Sequence, residues 1–237
     1  MKLTDKYLGI NEPITFKVMD ELFYRYFTDK EITEIIINKL LQEKITGENR
    51  LKKAVSQIRM ILKKNEELLI KIKVSNYIDY PKLSEIDRKS LILSFLFLTY
   101  PIMYRIQNIF GSGFFINNAL NKKYVAEKLA AFYGSNRGMF NALDAVIYTL
   151  VDFELLKIQK RGIYNKSEKW IINSSIINEL LLYCETYYSI SKTILQSEIE
   201  YKPIFNFYEY PSINRENLFL LDQIVLRESE KYYRVKG

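Results

Sequence analysis

Residues 90–104 (SLILSFLFLTYPIMY) contain no charged side chain and lie between Arg88-Lys89 and Arg105. This stretch constrains the fold more than any other. A membrane-spanning helix needs roughly 20 consecutive apolar residues; the stretch is shorter, and Pro101 interrupts it. A buried core helix followed by a Pro-started helix is the expected outcome, and Ser84-Glu85-Ile86-Asp87 in front has the form of a capped helix start. Residues 1–20 alternate charged and apolar side chains without an apolar signal core. The expectation is therefore a cytoplasmic protein with no membrane partner. Covering such a helix on all sides takes many apolar partners. A chain of 237 residues that is 48% hydrophobic and 14% aromatic supplies them, as one large domain or two to three small ones.

The preceding residues read as helices. Pro13 followed by Phe16, Val18, Met19, Leu22, Phe23 and Phe27 predicts a first helix with Pro in its opening turn. Thr28-Asp29-Lys30-Glu31 has the form of a capping box opening a second helix through Ile32, Ile35, Ile36 and Leu40. Thr46-Gly47 is a break, and a third helix is expected from Glu48 to about Ile70. It carries an apolar stripe of Leu51, Ala54, Val55, Ile58, Ile61 and Leu62. Residues 50–64 hold six Lys or Arg and no acid. Arg50, Lys53, Arg59 and Lys63 are thus a candidate surface for an anionic partner, with a merely solvated face as the alternative. Residues 74–82 read as a linker. Gly111-Ser112-Gly113 reads as a helix end; no Gly-Lys-Ser/Thr follows to make a phosphate loop.

Residues 121–173 form a unit. A short helix through Lys123–Phe132 leads into the turn Gly134-Ser135-Asn136-Arg137, where Gly134 can take a positive φ. A second helix follows from about Arg137 to Asp152, with Phe140, Leu143, Ile147, Leu150 and Val151 on one face. Asn136, Arg137, Asn141, Asp144 and Tyr148 are on the other. Leu155–Gln159 and Trp170–Ile172 read as strands, with Lys160-Arg161-Gly162 turning out of the first. The expected fold class is mainly α and multi-helical, with an embedded winged helix-turn-helix and a small β-hairpin wing. The segments fall at 1–75 (basic helical), 76–173 (helical plus winged helix) and 174–237 (helical, aromatic-rich). In such a layout Arg137 and Asn141 meet base edges or phosphates, and Lys157, Lys160 and Arg161 neutralise backbone charge. Asp144 and Asp152 count against a densely cationic helix.

With no histidine and one cysteine, Cys184, neither a Ser-His-Asp nor a Cys-His triad can form, nor a Cys/His zinc cage. The best remaining catalytic candidate is Glu198-Ile199-Glu200-Tyr201-Lys202, a short acidic-x-Lys pattern of the kind that holds Mg²⁺ in nucleases when it lies on a strand; such patterns recur by chance. The expectation is no enzyme, no cofactor and no metal. Net charge is +7, but residues 174–237 are net −2. That last quarter reads as a helix from Ser174, an aromatic stretch over 201–210 and a final helix over about 212–228. Tyr187, Tyr188, Phe205, Phe207, Tyr208 and Tyr210 are expected to be core, with a protein-binding surface as the alternative.

Taken in order, these features resemble the BrxA-like family, small accessory components of BREX phage-exclusion systems. The resemblance runs through residues 13–27, Ile37-Asn38-Lys39-Leu40-Leu41-Gln42, the basic helix 50–64, Leu98-Thr99-Tyr100-Pro101 and residues 150–156, and spans about residues 10–173. It implies an all-helical protein with a winged-helix-like part, binding to double-stranded DNA, and a role in antiviral defence alongside other defence-system proteins. It brings no catalytic residues. The competing expectation is a docking adaptor in a multi-subunit complex without direct DNA contact.

Overall fold

The computed structural model describes residues 8–43, 45–209, 218–226 and 230–236. Four helices come first: α1 (Phe16–Phe27), α2 (Glu34–Gln42), α3 (Glu48–Lys64) and α4 (Glu66–Val74). The apolar stretch forms α5 (Glu85–Thr99) and α6 (Pro101–Phe114). Then come β1 (Ala119–Asn121), α7 (Lys122–Tyr133), α8 (Arg137–Asp152), β2 (Leu156–Lys160) and β3 (Ile163–Lys166). The chain closes with α9 (Ser175–Tyr188), β4 (Thr193–Leu195), 3-10 turns at Gln196–Tyr201 and Pro203–Asn206, and strands β5 (Leu221–Leu226) and β6 (Glu230–Val235). The fold is mainly helical, with two small antiparallel sheets ordered β1-β3-β2 and β4-β6-β5.

Helix α5 begins as its sequence requires: the Asp87 amide donates to the Ser84 hydroxyl at 3.1 Å. Leu91, Ile92, Leu93, Phe95, Leu96 and Phe97 are all fully buried, so the helix is covered on every side. At Tyr100, φ is −122° and ψ is 93°, the extended geometry imposed on a residue before proline. Pro101 then opens α6 at an angle of 117° to α5. No single helix among the described residues is long and apolar enough to cross a membrane. Helices α1, α3, α6 and α9 pack on α5. One continuous hydrophobic cluster runs from Ile10 to Tyr233, crossing the segment boundaries expected near residues 75 and 173.

Side-chain polar groups tie outer elements to this centre. The Tyr188 hydroxyl donates to the Phe97 carbonyl (2.6 Å), and the Tyr100 hydroxyl to the Gln57 carbonyl (2.8 Å). The Glu179 carboxylate on α9 accepts from the amides of Phe219, Leu220 and Leu221 at 3.0, 2.6 and 2.9 Å, which docks the start of β5. Tyr188, Phe205, Phe207 and Tyr208 are core, as expected, while Tyr187 is half-buried.

Several boundaries differ from expectation. Helix α1 starts at Phe16, leaving Pro13 ahead of it, because Asp152 at the end of α8 accepts the Phe16 amide (2.6 Å). The Thr28 hydroxyl donates back to the Tyr24 carbonyl instead of opening α2, whose cap is Thr33. The third helix stops at Lys64, since the Asn65 amide group turns inward to the Ile61 carbonyl and the Thr99 hydroxyl (both 2.7 Å). The expected linker contains buried Tyr80, stacked on Phe27 at 5.5 Å. Gly111 and Gly113 lie inside α6 and do not end it. A Cβ at Gly111 would stand 2.1 Å from the Pro203 carbonyl oxygen, and one at Gly113 would stand 2.5 Å from Leu120. The partner of β2 is Ile163–Lys166, not Trp170–Ile172; Trp170 makes a lone bridge to Tyr208. Where a final helix was expected, residues 221–226 are strand β5. Residues 210–217 and 227–229, with Tyr210 among them, lie outside the described residues.

Two outcomes follow from this packing. Gly111→Ala is expected to destabilise the fold by about 1–3 kcal/mol in denaturant titrations, because the added methyl group meets backbone. The Glu185 carboxylate of α9 is buried and accepts from the Tyr104 hydroxyl of α6; burial raises its pKa, against the opposing pull of Tyr104 and Lys202. A folded-state carboxyl pKa above its unfolded value makes the folded state bind more protons, so this group's contribution to stability falls as pH rises. Glu185→Gln should therefore raise the melting temperature at neutral pH, with the gain vanishing below about pH 4.3, the unfolded glutamate range.

Candidate nucleic-acid interface

The turn between α7 and α8 is set locally. Gly134 has φ 75° and ψ 156°, a region essentially closed to other residues, and its amide closes α7 on the Ala130 carbonyl at 2.9 Å. The Asn136 side chain accepts from the Met139 amide (3.0 Å), capping α8. That bond commits Asn136 to structure. Met139, Ala142, Leu143, Val146 and Leu150 form the seam of α8 against the core.

The outward face of α8 carries Arg137, Phe140, Asn141, Asp144 and Tyr148. Phe140 was expected inside. It stands three residues from Arg137 and falls outside the buried seam, 40% exposed, and Tyr148 is 60% exposed. Two bulky apolar side chains therefore flank the polar positions.

The β2–β3 turn lies beside this helix pair. The Lys122 amide, first in α7, donates to the Gly162 carbonyl of the turn at 2.8 Å. The Lys122 side chain forms an ion pair with Asp144 on α8, so a single residue links the turn, α7 and α8. Tyr164 of β3 packs edge-on against Phe110, and burial raises its hydroxyl pKa, with Tyr148 and Asp144 of α8 adding to the effect.

Of the expected contact residues, Arg137 and Asn141 lie on the outward face of α8, and Lys160 and Arg161 lie at the β2–β3 turn. All four are exposed, and none has an ion-pair partner among the described residues. Lys157 is also exposed, without an ion-pair partner among the described residues. The register sets Leu120, Tyr164 and Ile158 on one face of the sheet and Ala119, Asn165 and Lys157 on the other.

The basic helix α3 is a separate element, and two of its four candidate contact residues, Arg50 and Arg59, are engaged in ion pairs. The Arg50 guanidinium donates to both Glu12 oxygens (Nη2 at 2.7 Å), and Glu12 is almost fully buried. Gln57 holds that segment by accepting from the Asn11 and Glu12 amides and donating to the Glu12 carbonyl. Arg59 pairs with Glu34 at 2.8 Å. Lys53 and Lys63 remain exposed without an ion-pair partner among the described residues.

The two acids that counted against the α8 face are both engaged: Asp144 with Lys122, and Asp152 with the amide that starts α1. Sequence reasoning missed Phe140 and Lys122. Phe140 could have been placed by the i+3 spacing from Arg137, whereas nothing in the linear order signals the Lys122 contact.

The Glu198–Lys202 segment lies on a 3-10 turn instead of a strand, and Lys202 pairs with Glu198 at 3.1 Å. Among the described residues no group of three or more His, Cys, Asp or Glu side chains is placed to hold a metal ion. Cys184 is buried, which pushes its thiol pKa up and away from reactivity.

No protein-family model, curated protein or solved structure matches the chain.

The contrasting environments on α3 give a direct check. Arg50→Ala should lower the melting temperature by calorimetry, because it strands the nearly buried Glu12 carboxylate. Lys53→Ala should leave the melting temperature unchanged.

Proposed function

We propose that residues 101–166 are a winged helix-turn-helix that binds double-stranded DNA, and that the protein is a non-enzymatic accessory component of a BREX-like antiphage assembly in the cytoplasm. One observation carries the reading: the element order α6-β1-α7-α8-β2-β3 with sheet order β1-β3-β2. In that arrangement a helix pair presents its second member outward while a β-hairpin flanks it.

The chemistry fits a duplex. Helix α8 presents its positive dipole end with Arg137 in the first turn, and this end suits phosphate or a guanine edge. Asn141 follows one turn later with a donor and an acceptor for adenine. Lys160 and Arg161 at the wing tip are free to neutralise phosphates. Lys122 balances the charge of Asp144 on this face. The defence role rests on the family resemblance.

Protein docking is the second reading. Exposed Phe140 and Tyr148, together with a groove of about 1140 Å³ between α2 and α3 lined by Ile37, Leu51, Val55 and Leu62, favour it.

Binding to a random duplex across a salt series separates the two. Contacts from Arg137, Lys160 and Arg161 predict a log–log slope of about −3, near 0.9 per phosphate. Lys160→Glu with Arg161→Glu should cut affinity roughly tenfold or more on every sequence and flatten the slope by about two. A flat salt response, or a complex with a protein partner that survives nuclease treatment and these substitutions, would favour docking.

A further inference from the structure

The outward face of α8 holds an acid at its centre. Asp144 stands three residues after Asn141 and seven after Arg137, so all three share one side of the helix. Its side chain is 48% exposed. A surface built only to hold a polyanion gains nothing from a carboxylate there, since phosphates repel it. Yet the carboxylate is held in place: Lys122 forms an ion pair with it, and the Lys122 backbone is bonded to the wing turn.

An acceptor-only group in a major groove is selective by its chemistry. Guanine presents two acceptors there, N7 and O6, and thymine presents O4; both repel a carboxylate. Adenine offers an amino donor beside the N7 acceptor, so attraction and repulsion partly cancel. Cytosine offers the N4 amino group alone. Lys122 removes the net charge that would otherwise oppose the phosphates but leaves carboxylate lone pairs open to a donor. One Lys nitrogen does not saturate two carboxylate oxygens.

Resting on the winged-helix reading above, we infer that Asp144 is a specificity-determining residue, accepting from the N4 amino group of a cytosine, and that Lys122 is its positioning and neutralising partner. The protein is then a sequence-selective binder whose site contains a cytosine next to the base pair facing Asn141. Removing the acid should raise affinity for unrelated DNA while erasing discrimination at one position.

The test is selection of bound duplexes from a pool with a randomised core, using the full chain and its Asp144→Asn, Asp144→Ala and Lys122→Gln variants, each first checked for unchanged helical circular dichroism. The wild type should enrich a motif with an invariant cytosine column. Asp144→Asn and Asp144→Ala should lose that column alone, discriminating against guanine there roughly tenfold less, on the scale of one base contact. They should also bind random duplex several-fold more tightly. Lys122→Gln should keep the column and bind all duplexes more weakly, because the carboxylate is left unneutralised; a merely structural ion pair would change stability and not base preference. Wild-type binding with no cytosine column, or an identical motif from Asp144→Asn, overturns the assignment while leaving duplex binding intact. Absence of duplex binding by the wild type overturns both.

Discussion

Complete burial of α5 is the condition on which the rest of the fold depends. A helix with a single apolar stripe can pack at the edge of a domain, but α5 is apolar around its circumference and needs partners on every side. Helices α1, α3, α6 and α9 provide them, and these come from the beginning, middle and end of the chain. The arrangement explains why one hydrophobic cluster joins parts whose charge and composition suggest separate segments. At a gain near 25 cal/mol per Å² of apolar surface removed from water, a helix covered on all sides contributes strongly to cohesion.

Such a centre has to satisfy the polar groups it encloses. Asn65, Thr99, Tyr100 and Tyr188 each direct a side-chain hydrogen bond to groups on or beside the central helices. Directional bonds of this kind fix the rotation and register of elements that hydrophobic burial alone leaves free to slide. They also relocate helix ends. The third helix breaks at Asn65 because its amide has better partners inside the core than along the helix, and α1 begins at Phe16 because a carboxylate from α8 meets its first amide.

Local electrostatics follow the same logic. A count of Lys and Arg treats each charge as available, but Arg50 is held by a nearly buried glutamate, Arg59 by Glu34, and Lys122 by Asp144. The run of cations in α3 therefore presents less positive surface than its composition implies. On α8, by contrast, Lys122 balances the charge of Asp144, and Asp152 accepts the first amide of α1. What a polyanion or a protein partner meets is the remainder after these internal pairings, which includes Lys53 and Lys63 on α3 as well as Arg137, Lys160 and Arg161.

The sequence by itself determined the elements whose signals are local. Ser84 capping α5, Pro101 opening α6, the Gly134 turn and the span of α8 all rest on bonds within a few residues of one another, and each is present where spacing and turn chemistry put it. Only the tertiary structure decided the pairing of β1 and β3, the strand character of residues 221–226 and the role of Gly111 and Gly113 as contact points rather than a break. It also decided which charges stay free. The β1–β3 pairing, the approach of Gly111 to Pro203 and the ion pairs across elements join residues about 20 to 90 positions apart, and the β5–β6 hairpin depends on its partner strand, so no helical or strand periodicity in the chain encodes them.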